Sequence, residues 1–280
     1  MSDFKYTKER PLRVFTAFSG YDSQCMALDR IDIPYVLIGW SEIDKYAIQG
    51  HNAVYPLHAD KNYGDISKIN WEEVPDFDLF TYSFPCTDIS NAGQQKGLEE
   101  GSGTRSSLLW ECCKAIEAKR PKYLLMENVK ALVSKKFLPF YKKWEQYLSD
   151  MGYVSFGKVL NAKDYGVPQN RERIFLISVL DEDATYRFPE PFPLETRLKD
   201  ILEEEVDDKY VLSETAIQGF LKHNENHKAK GTGFLWIPKD TSVDGGGYAN
   251  CLRAKSALAP TDNTVRECRG GELSEGESIP

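Results

Sequence analysis

The sequence predicts an α/β fold around a mainly parallel sheet, followed by a smaller irregular region. Two observations carry that expectation. Between residues 13 and 179, short apolar runs alternate with helix-like segments, the order that βαβ units impose. After residue 180 the alternation stops, and RFPEPFPLE (187–195) introduces three prolines.

The predicted strands, in order, are RVFTAF (13–18), YVLIGWSE (35–42), FDLFTYS (77–83), KYLLMEN (122–128), VSFGKVL (154–160) and RIFLISV (173–179). Each has strand length and is rich in β-branched or aromatic residues. Helices are expected at about 22–31, 106–118 and 137–151. The last carries Phe140, Trp144, Leu148 and Met151 at spacings of three and four, which makes one apolar face. The proline-rich stretch reads as a linker and sets a domain boundary near 188. The acidic run DILEEEVDD (200–208) is expected to form a solvated helix face. From about 210 the chain is polar and glycine-rich, without strong periodicity, so a small irregular second domain is expected.

A chain of 280 residues can bury one large core, or one large and one small domain. It holds no apolar run long enough to span a bilayer, and its start lacks the apolar segment of a signal peptide. Six cysteines without framework spacing read as reduced thiols, which points to the cytoplasm. The net charge of −8 argues mildly against nucleic acid as a partner. It does not exclude one, because a basic cleft can sit on an acidic body.

The chemistry-bearing residues fall at predicted strand ends. FTAFSGYDSQ (15–24) is a strand that turns at Gly20 into a helix, letting backbone approach a ligand. About twenty residues on, Glu42 ends the second strand, where α/β folds place a carboxylate for ribose hydroxyls. Asp65 in Gly64-Asp65-Ile66 suits an adenine exocyclic amine. Spacing alone is equally compatible with solvated loop acids.

Cys86 follows the third strand at the rigid corner Phe84-Pro85, because proline fixes its own φ and keeps Phe84 extended. A thiol attacks as thiolate, which a nearby Arg171 or Arg173 would favour. A buried structural cysteine is the competing reading. Residues 87–104 form a long polar loop with four glycines, the pattern of a lid. Arg105 and the hydroxyls of Thr104, Ser106 and Ser107 suit phosphate.

Glu127, at the end of the fourth strand, is placed to protonate a ring nitrogen, and Asn128 to bond backbone and substrate. A Glu-Asn helix cap is the alternative. In QNRERIF (169–175), Gln169, Arg171 and Arg173 alternate on one face of an incipient strand. An ion pair with Glu127 and a role in substrate binding are both compatible with them. Cys112 and Cys113 are expected in the core. His223 and His227 have helical spacing but lack further ligands for a metal.

Taken together, these segments resemble the cytosine carbon-5 DNA methyltransferase family. AFSGYDSQ looks like its first S-adenosylmethionine motif, and SFPCTDIS like its Pro-Cys motif. GQQKG with TRSSL resembles its mobile loop and following helix, MENVK its Glu-Asn-Val motif, and QNRERIF its Gln-x-Arg-x-Arg motif. The segment LKDILEEEVDDKYVLSE is similar to its approach to the target-recognition domain. The likeness covers roughly residues 12–215, in family order.

That resemblance implies a Rossmann-like mainly parallel mixed sheet with flanking helices, plus a smaller irregular partial target-recognition region. Residues 1–187 would be the S-adenosylmethionine-binding catalytic domain, and 188–280 the linker and partial recognition domain. It implies methyl transfer to carbon-5 of a cytosine flipped out of double-stranded DNA, through a covalent Cys86 adduct at carbon-6. Catalytic roles would fall to Cys86, Glu127, Arg171 and Arg173. Cofactor contacts would come from Phe18, Ser19, Gly20, Tyr21, Asp22, Glu42, Ile43, Asp65, Ile66, Ser83, Pro85 and Leu108. DNA contacts would come from Ser90, Ala92, Gln95, Lys96, Arg105 and Gln169. No metal is implied, and the setting would be restriction-modification or phage defence, in the cytoplasm at the nucleoid.

The chain departs from the pattern at Thr87, where many members carry glutamine, and at Gly20-Tyr21-Asp22, where many have a second glycine. Neither change removes a reacting group. The family's ninth and tenth motifs are not found, so a truncation, an interrupted reading frame or a split enzyme with a complementing polypeptide is expected. Weak or absent turnover by this chain alone follows from that expectation. Transfer-RNA cytosine methylation and a non-catalytic DNA-binding remnant are the alternative readings.

Overall fold

A computed structural model describes residues 6–85, 108–231, 235–241, 247–251 and 264–266. The chain divides into two compact units. The first comprises Met1–Leu160 with Arg173–Phe188, and the second Asn161–Glu172 with Pro189–Pro280.

The first unit begins with β1 (Leu12–Ala17), α1 (Ser23–Arg30), β2 (Tyr35–Ser41) and α2 (Lys45–Val54). It continues with β3 (Leu79–Tyr82), α3 (Leu109–Lys119), β4 (Tyr123–Val129), α4 (Leu138–Asp150) and β5 (Val154–Asn161). A two-residue strand β6 (Gln169–Asn170) then precedes β7 (Glu172–Val179). The central sheet has six strands in the order β2-β1-β3-β4-β7-β5. β1 runs parallel to β2 and β3, and β3 parallel to β4, whereas β7 is antiparallel to β4. The mixed α/β sheet with flanking helices is the fold class read from the sequence.

Alternation along β1 sends neighbouring side chains to opposite faces of the sheet. Phe15 joins Trp71, Phe77 and Phe80 on one face, while Val14 packs with Leu37, Trp40 and Cys25 on the other. Burying each aromatic contributes about 1.5–3 kcal/mol over leaving it exposed. A strand covered on both faces reads as a nearly continuous apolar run, which is why β1 and β3 stand out in the sequence.

Chain order leaves β1 first toward β2 and later resumes on its other side at β3. The β1/β3 boundary is therefore a topological switch point, and the crevice lies beyond the carboxyl ends of these strands.

Helix α2 was not expected. Its single buried position is occupied by His51, so counting hydrophobic residues gives no apolar stripe there.

In the second unit, β6 pairs in parallel with β9 (Ala249–Asn250), and β8 (Lys239–Asp240) pairs with β10 (Val265–Arg266). Helix α5 (Glu214–Lys230), also unexpected, is capped by Ser213 and buries none of its side chains. The acidic run does not form the expected helix. A 3₁₀ turn spans Leu198–Ile201 and another Asp208–Tyr210, with bends between. Like charges at neighbouring positions repel along a helix, and only Leu198 in this stretch is buried to compensate.

Candidate active site

The turn after β1 is wound tightly. Phe18 (φ 54°), Gly20 (φ 58°) and Asp22 (φ 68°) are all left-handed. For the two non-glycine residues this costs on the order of 1–2 kcal/mol each, a strain that persists only where surroundings hold it. A Cβ at Gly20 would meet nothing within 4 Å, so conformation rather than crowding demands glycine there.

Glu42 holds this turn. Its Oε2 accepts from the Gly20 amide at 3.0 Å, and its Oε1 from the amides of Ile43 and Asp44 at 2.8 and 2.9 Å. Asn62 ties in the third loop: its Oδ1 accepts from the amides of Glu42 and Gly64, and its Nδ2 donates to the Glu42 carbonyl. Carboxylate acceptors of backbone amides make strong, charge-assisted bonds, so three loops are laced at one strand edge.

These loops border a cleft of about 470 Å³. Eight of the residues expected to touch a cofactor line it: Phe18, Glu42, Ile43, Asp65, Ile66, Ser83, Pro85 and Leu108. Ser41, Asp44 and Gly64 line it as well and were missed by sequence reading. Position signalled the last two: Asp44 follows Glu42 as the cap of α2, and Gly64 precedes Asp65 with φ 71°.

Asp65 caps a short 3₁₀ turn through bonds from the Ser67 hydroxyl and amide to its Oδ1, at 2.8 and 3.0 Å. The Ser67 hydroxyl first, then the Ser67 amide, holds its carboxyl below the usual carboxylate range.

Ser19, Gly20, Tyr21 and Asp22 do not line the cleft. Ser19 is buried, and Tyr21 is 55% exposed. Asp22, expected to contact the cofactor, has no exposed surface, because its carboxylate caps α1 from within the fold.

The carboxyl end of β4 supplies the second group. Glu127 pairs opposite Phe175 and Val129 opposite Arg173. Glu127 and Arg173 are thus diagonal neighbours on one face of an antiparallel pair, within reach of a long side chain. Arg173 Nε lies 3.0 Å from Glu127 Oε1, and both side chains keep partial exposure.

The next residue turns the other way. Asn128 is buried, its Nδ2 donates to the Phe84 carbonyl at 3.0 Å, and its Oδ1 accepts from the Val129 amide at 2.8 Å. Asn128 thereby anchors the corner two residues before Cys86. Cys86 itself, with Ser90, Ala92, Gln95, Lys96 and Arg105, lies outside the described residues.

Gln169, Arg171 and Arg173 do not share one strand face. Gln169 belongs to β6 and pairs with Ala249, while Arg173 belongs to β7 in the main sheet. The ladder is interrupted at Arg171. Its amide donates to Asn161 Oδ1 at 3.0 Å, its carbonyl accepts from the Ala162 amide, and its Nη1 lies 3.5 Å from Cys251 Sγ.

Three other thiols are poorly suited to attack. Cys25, Cys112 and Cys113 are buried. Burial pushes the Cys25 and Cys112 thiols well above their ordinary value, which disfavours thiolate. His223 and His227 stand 4.2 Å apart on α5, and no group of three metal-ligating side chains occurs among the described residues. No helix among them is long and apolar enough to cross a membrane.

Comparison with known proteins bears on this arrangement. The profile of C-5 cytosine-specific DNA methylases matches residues 12–275. A type II methyltransferase of Lactococcus lactis subsp. cremoris, M2.ScrFI, is 40% identical across 79% of this chain and 77% of its own length. The orphan methyltransferase M.SPRI of Bacillus phage SPR is 31% identical across 90% of this chain and 64% of its own length. M.NlaX of Neisseria lactamica, a type II methyltransferase, is 37% identical across 69% of this chain and 60% of its own length. The alignments thus span 60 to 77% of the length of these three relatives.

Among solved structures, the S. pombe Dnmt2 methyltransferase superposes with a TM-score of 0.63 at 19% identity, over 86% of this chain and 70% of its own. The Entamoeba histolytica methyltransferase EhMeth gives 0.63 at 17%, over 90% and 80%. At those identities the likeness is one of fold.

Proposed function

The chain belongs to the C-5 cytosine-specific DNA methylases, and we propose that it transfers a methyl group from S-adenosylmethionine to carbon-5 of a cytosine flipped out of duplex DNA. The observation that carries this reading is the convergence at one sheet edge. The cleft at the ends of β1, β2 and β3, the Glu127–Arg173 pair and the Asn128 anchor before Cys86 all belong to the first unit.

The cleft suits the cofactor by its donor set. Ile43, Ile66, Pro85 and Leu108 offer apolar walls to a purine, while Glu42 and Asp65 bring carboxylates to hydroxyls and an amine. When bound, S-adenosylmethionine supplies an electrophilic methyl carbon.

The chain's own groups do the rest. Cys86 would add as thiolate to carbon-6 of the cytosine, pushing electron density to carbon-5. Glu127 would hydrogen-bond or protonate ring nitrogen-3, so that the ring accepts those electrons. Arg173, held by Glu127, would donate to the base oxygen, with Arg171 as the second cation of the segment. Carbon-5 would take the methyl group as the sulfonium–methyl bond breaks and S-adenosylhomocysteine is released; loss of the carbon-5 proton to water and departure of Cys86 as thiolate would then restore the aromatic ring. The 87–104 segment, with Ser90, Ala92, Gln95 and Lys96, would close over the flipped base, while Arg105 and Gln169 contact DNA. The setting we propose is restriction-modification, by analogy with the type II relatives.

The test is isotopic. With methyl-tritiated cofactor, label, weak for this chain alone, should appear as 5-methylcytosine in duplex DNA and not in transfer RNA. Label in transfer RNA alone would move the substrate class. Label at any position other than carbon-5 would contradict the proposed chemistry.

A further inference from the structure

Beneath the glycine turn lie two buried ionisable groups that the chemistry above does not use. Asp22 and His51 each have no exposed side-chain surface, and His51 Nε2 stands 3.5 Å from Asp22 Oδ2. The His51 ring stacks on Trp40 with centroids 3.7 Å apart and planes at 17°. The approach of Nε2 to Asp22 is an electrostatic proximity rather than a hydrogen bond: Nε2 is buried without a hydrogen-bond partner, while Nδ1 lies 3.3 Å from Asn52 Oδ1.

Asp22 is not the least strained choice at its position. Glycine adopts a φ of 68° without strain, whereas aspartate does so at a cost. Taking a carboxylate out of water costs several kcal/mol unless partners compensate it. The compensation here comes from three elements. Thr16 on β1 donates its hydroxyl to Oδ2 at 3.2 Å, Cys25 on α1 donates its amide to Oδ1 at 3.4 Å, and His51 on α2 faces Oδ2. Two of those elements continue into the cleft: β1 runs into Phe18, and α2 starts at its cap Asp44, both lining residues.

We propose that His51 is a positioning residue for cofactor binding: through Asp22 it locks the left-handed turn against α2 and so fixes the two cleft walls relative to each other. This rests on the reading of the cleft as the S-adenosylmethionine site. Neither side chain touches the ligand, and the effect travels through the turn.

The experiment is calorimetric titration of the intact chain with S-adenosylmethionine, together with thermal melting. Wild type, Asp22→Asn, His51→Gln and the double variant are compared. Each single variant is expected to bind about tenfold more weakly, and the double variant no more weakly than the worse single one, because both break one contact. Affinities within twofold of wild type, whatever the melting temperatures, would overturn the inference by reducing the pair to a structural role. Strictly additive losses would overturn it too. Should His51→Gln fail to fold, the nearly isosteric Asp22→Asn decides alone. A wild-type chain that binds no cofactor overturns the reading of the cleft and this inference with it, whereas unmoved variants of a binding chain overturn only the inference.

Discussion

The two units are built on different principles. In the first, sheet and helices enclose a core in which Phe15, Phe80, Tyr82, Trp40 and Trp144 are almost wholly buried. Among the described residues of the second, the buried apolar side chains are Leu198, Trp236, Ala249 and Pro168. What organises that unit is specific bonding. Asn224 brackets Trp236, accepting from its amide at 2.7 Å and donating to its carbonyl at 2.8 Å. The Trp236 indole donates to Thr264 at 2.9 Å and stacks on Phe220. The difference shows where close packing is concentrated. A catalytic cleft needs groups fixed to a fraction of an ångström, and a closely packed sheet edge provides that.

The largest effect that could break this contrast lies in the first core. Phe80→Ala should cost about 3–5 kcal/mol in urea denaturation, because the surrounding rings cannot collapse into the void. A loss under 1 kcal/mol would mean that the core is loosely filled.

Next comes the chemistry on that scaffold. Glu127→Gln should slow covalent capture by a duplex carrying 5-fluorocytosine about a hundredfold, the scale of a lost general acid. Stability should change by less than about 1 kcal/mol, since the Arg173 pair is partly exposed. A stability loss as large as that of Phe80→Ala would recast Glu127 as a structural residue.

In the second unit, Asn224→Ala should cost about 1–3 kcal/mol by leaving two Trp236 backbone groups unpaired. Hydrogen exchange should quicken across 214–236 and stay unchanged in β1 to β4. Equal quickening in both units would erase the distinction.

The smallest expected effect is at the turn. Gly20→Ala should cost about 1 kcal/mol of melting stability through its φ alone, the space around it being open. A neutral result would show that the turn relaxes freely.

The same contrast decides what the sequence discloses. The strands of the main sheet are legible as apolar runs, most plainly β1 and β3, which are buried on both faces. Helix α4 is legible too: of its expected apolar face Trp144 and Leu148 are buried, Phe140 and Met151 are half-buried, and Tyr141, not expected there, takes the remaining buried position. Helix α2 is hidden because histidine takes its buried position, and α5 because none of its side chains is fully buried. The acidic run misleads, since charge alone does not tell a solvated helix from a bent loop.

At the candidate site, strand ends predict Glu42 and Glu127 and the Gly64-Asp65-Ile66 turn predicts Asp65, while tertiary bonding stays out of view. Nothing local in SGYDSQ reveals that Asp22 points inward to meet His51, 29 residues away. Nor does QNRERIF reveal that the ladder breaks at Arg171, because the interruption depends on Asn161 accepting its amide.

The central claim is that one thiol bonds to the base. The direct measurement is peptide mass mapping of the adduct formed with a 5-fluorocytosine duplex and S-adenosylmethionine. The account predicts a nucleotide adduct on the peptide containing Cys86, lost in Cys86→Ser. An adduct on any of the other five cysteines, or capture that survives Cys86→Ser, would contradict it.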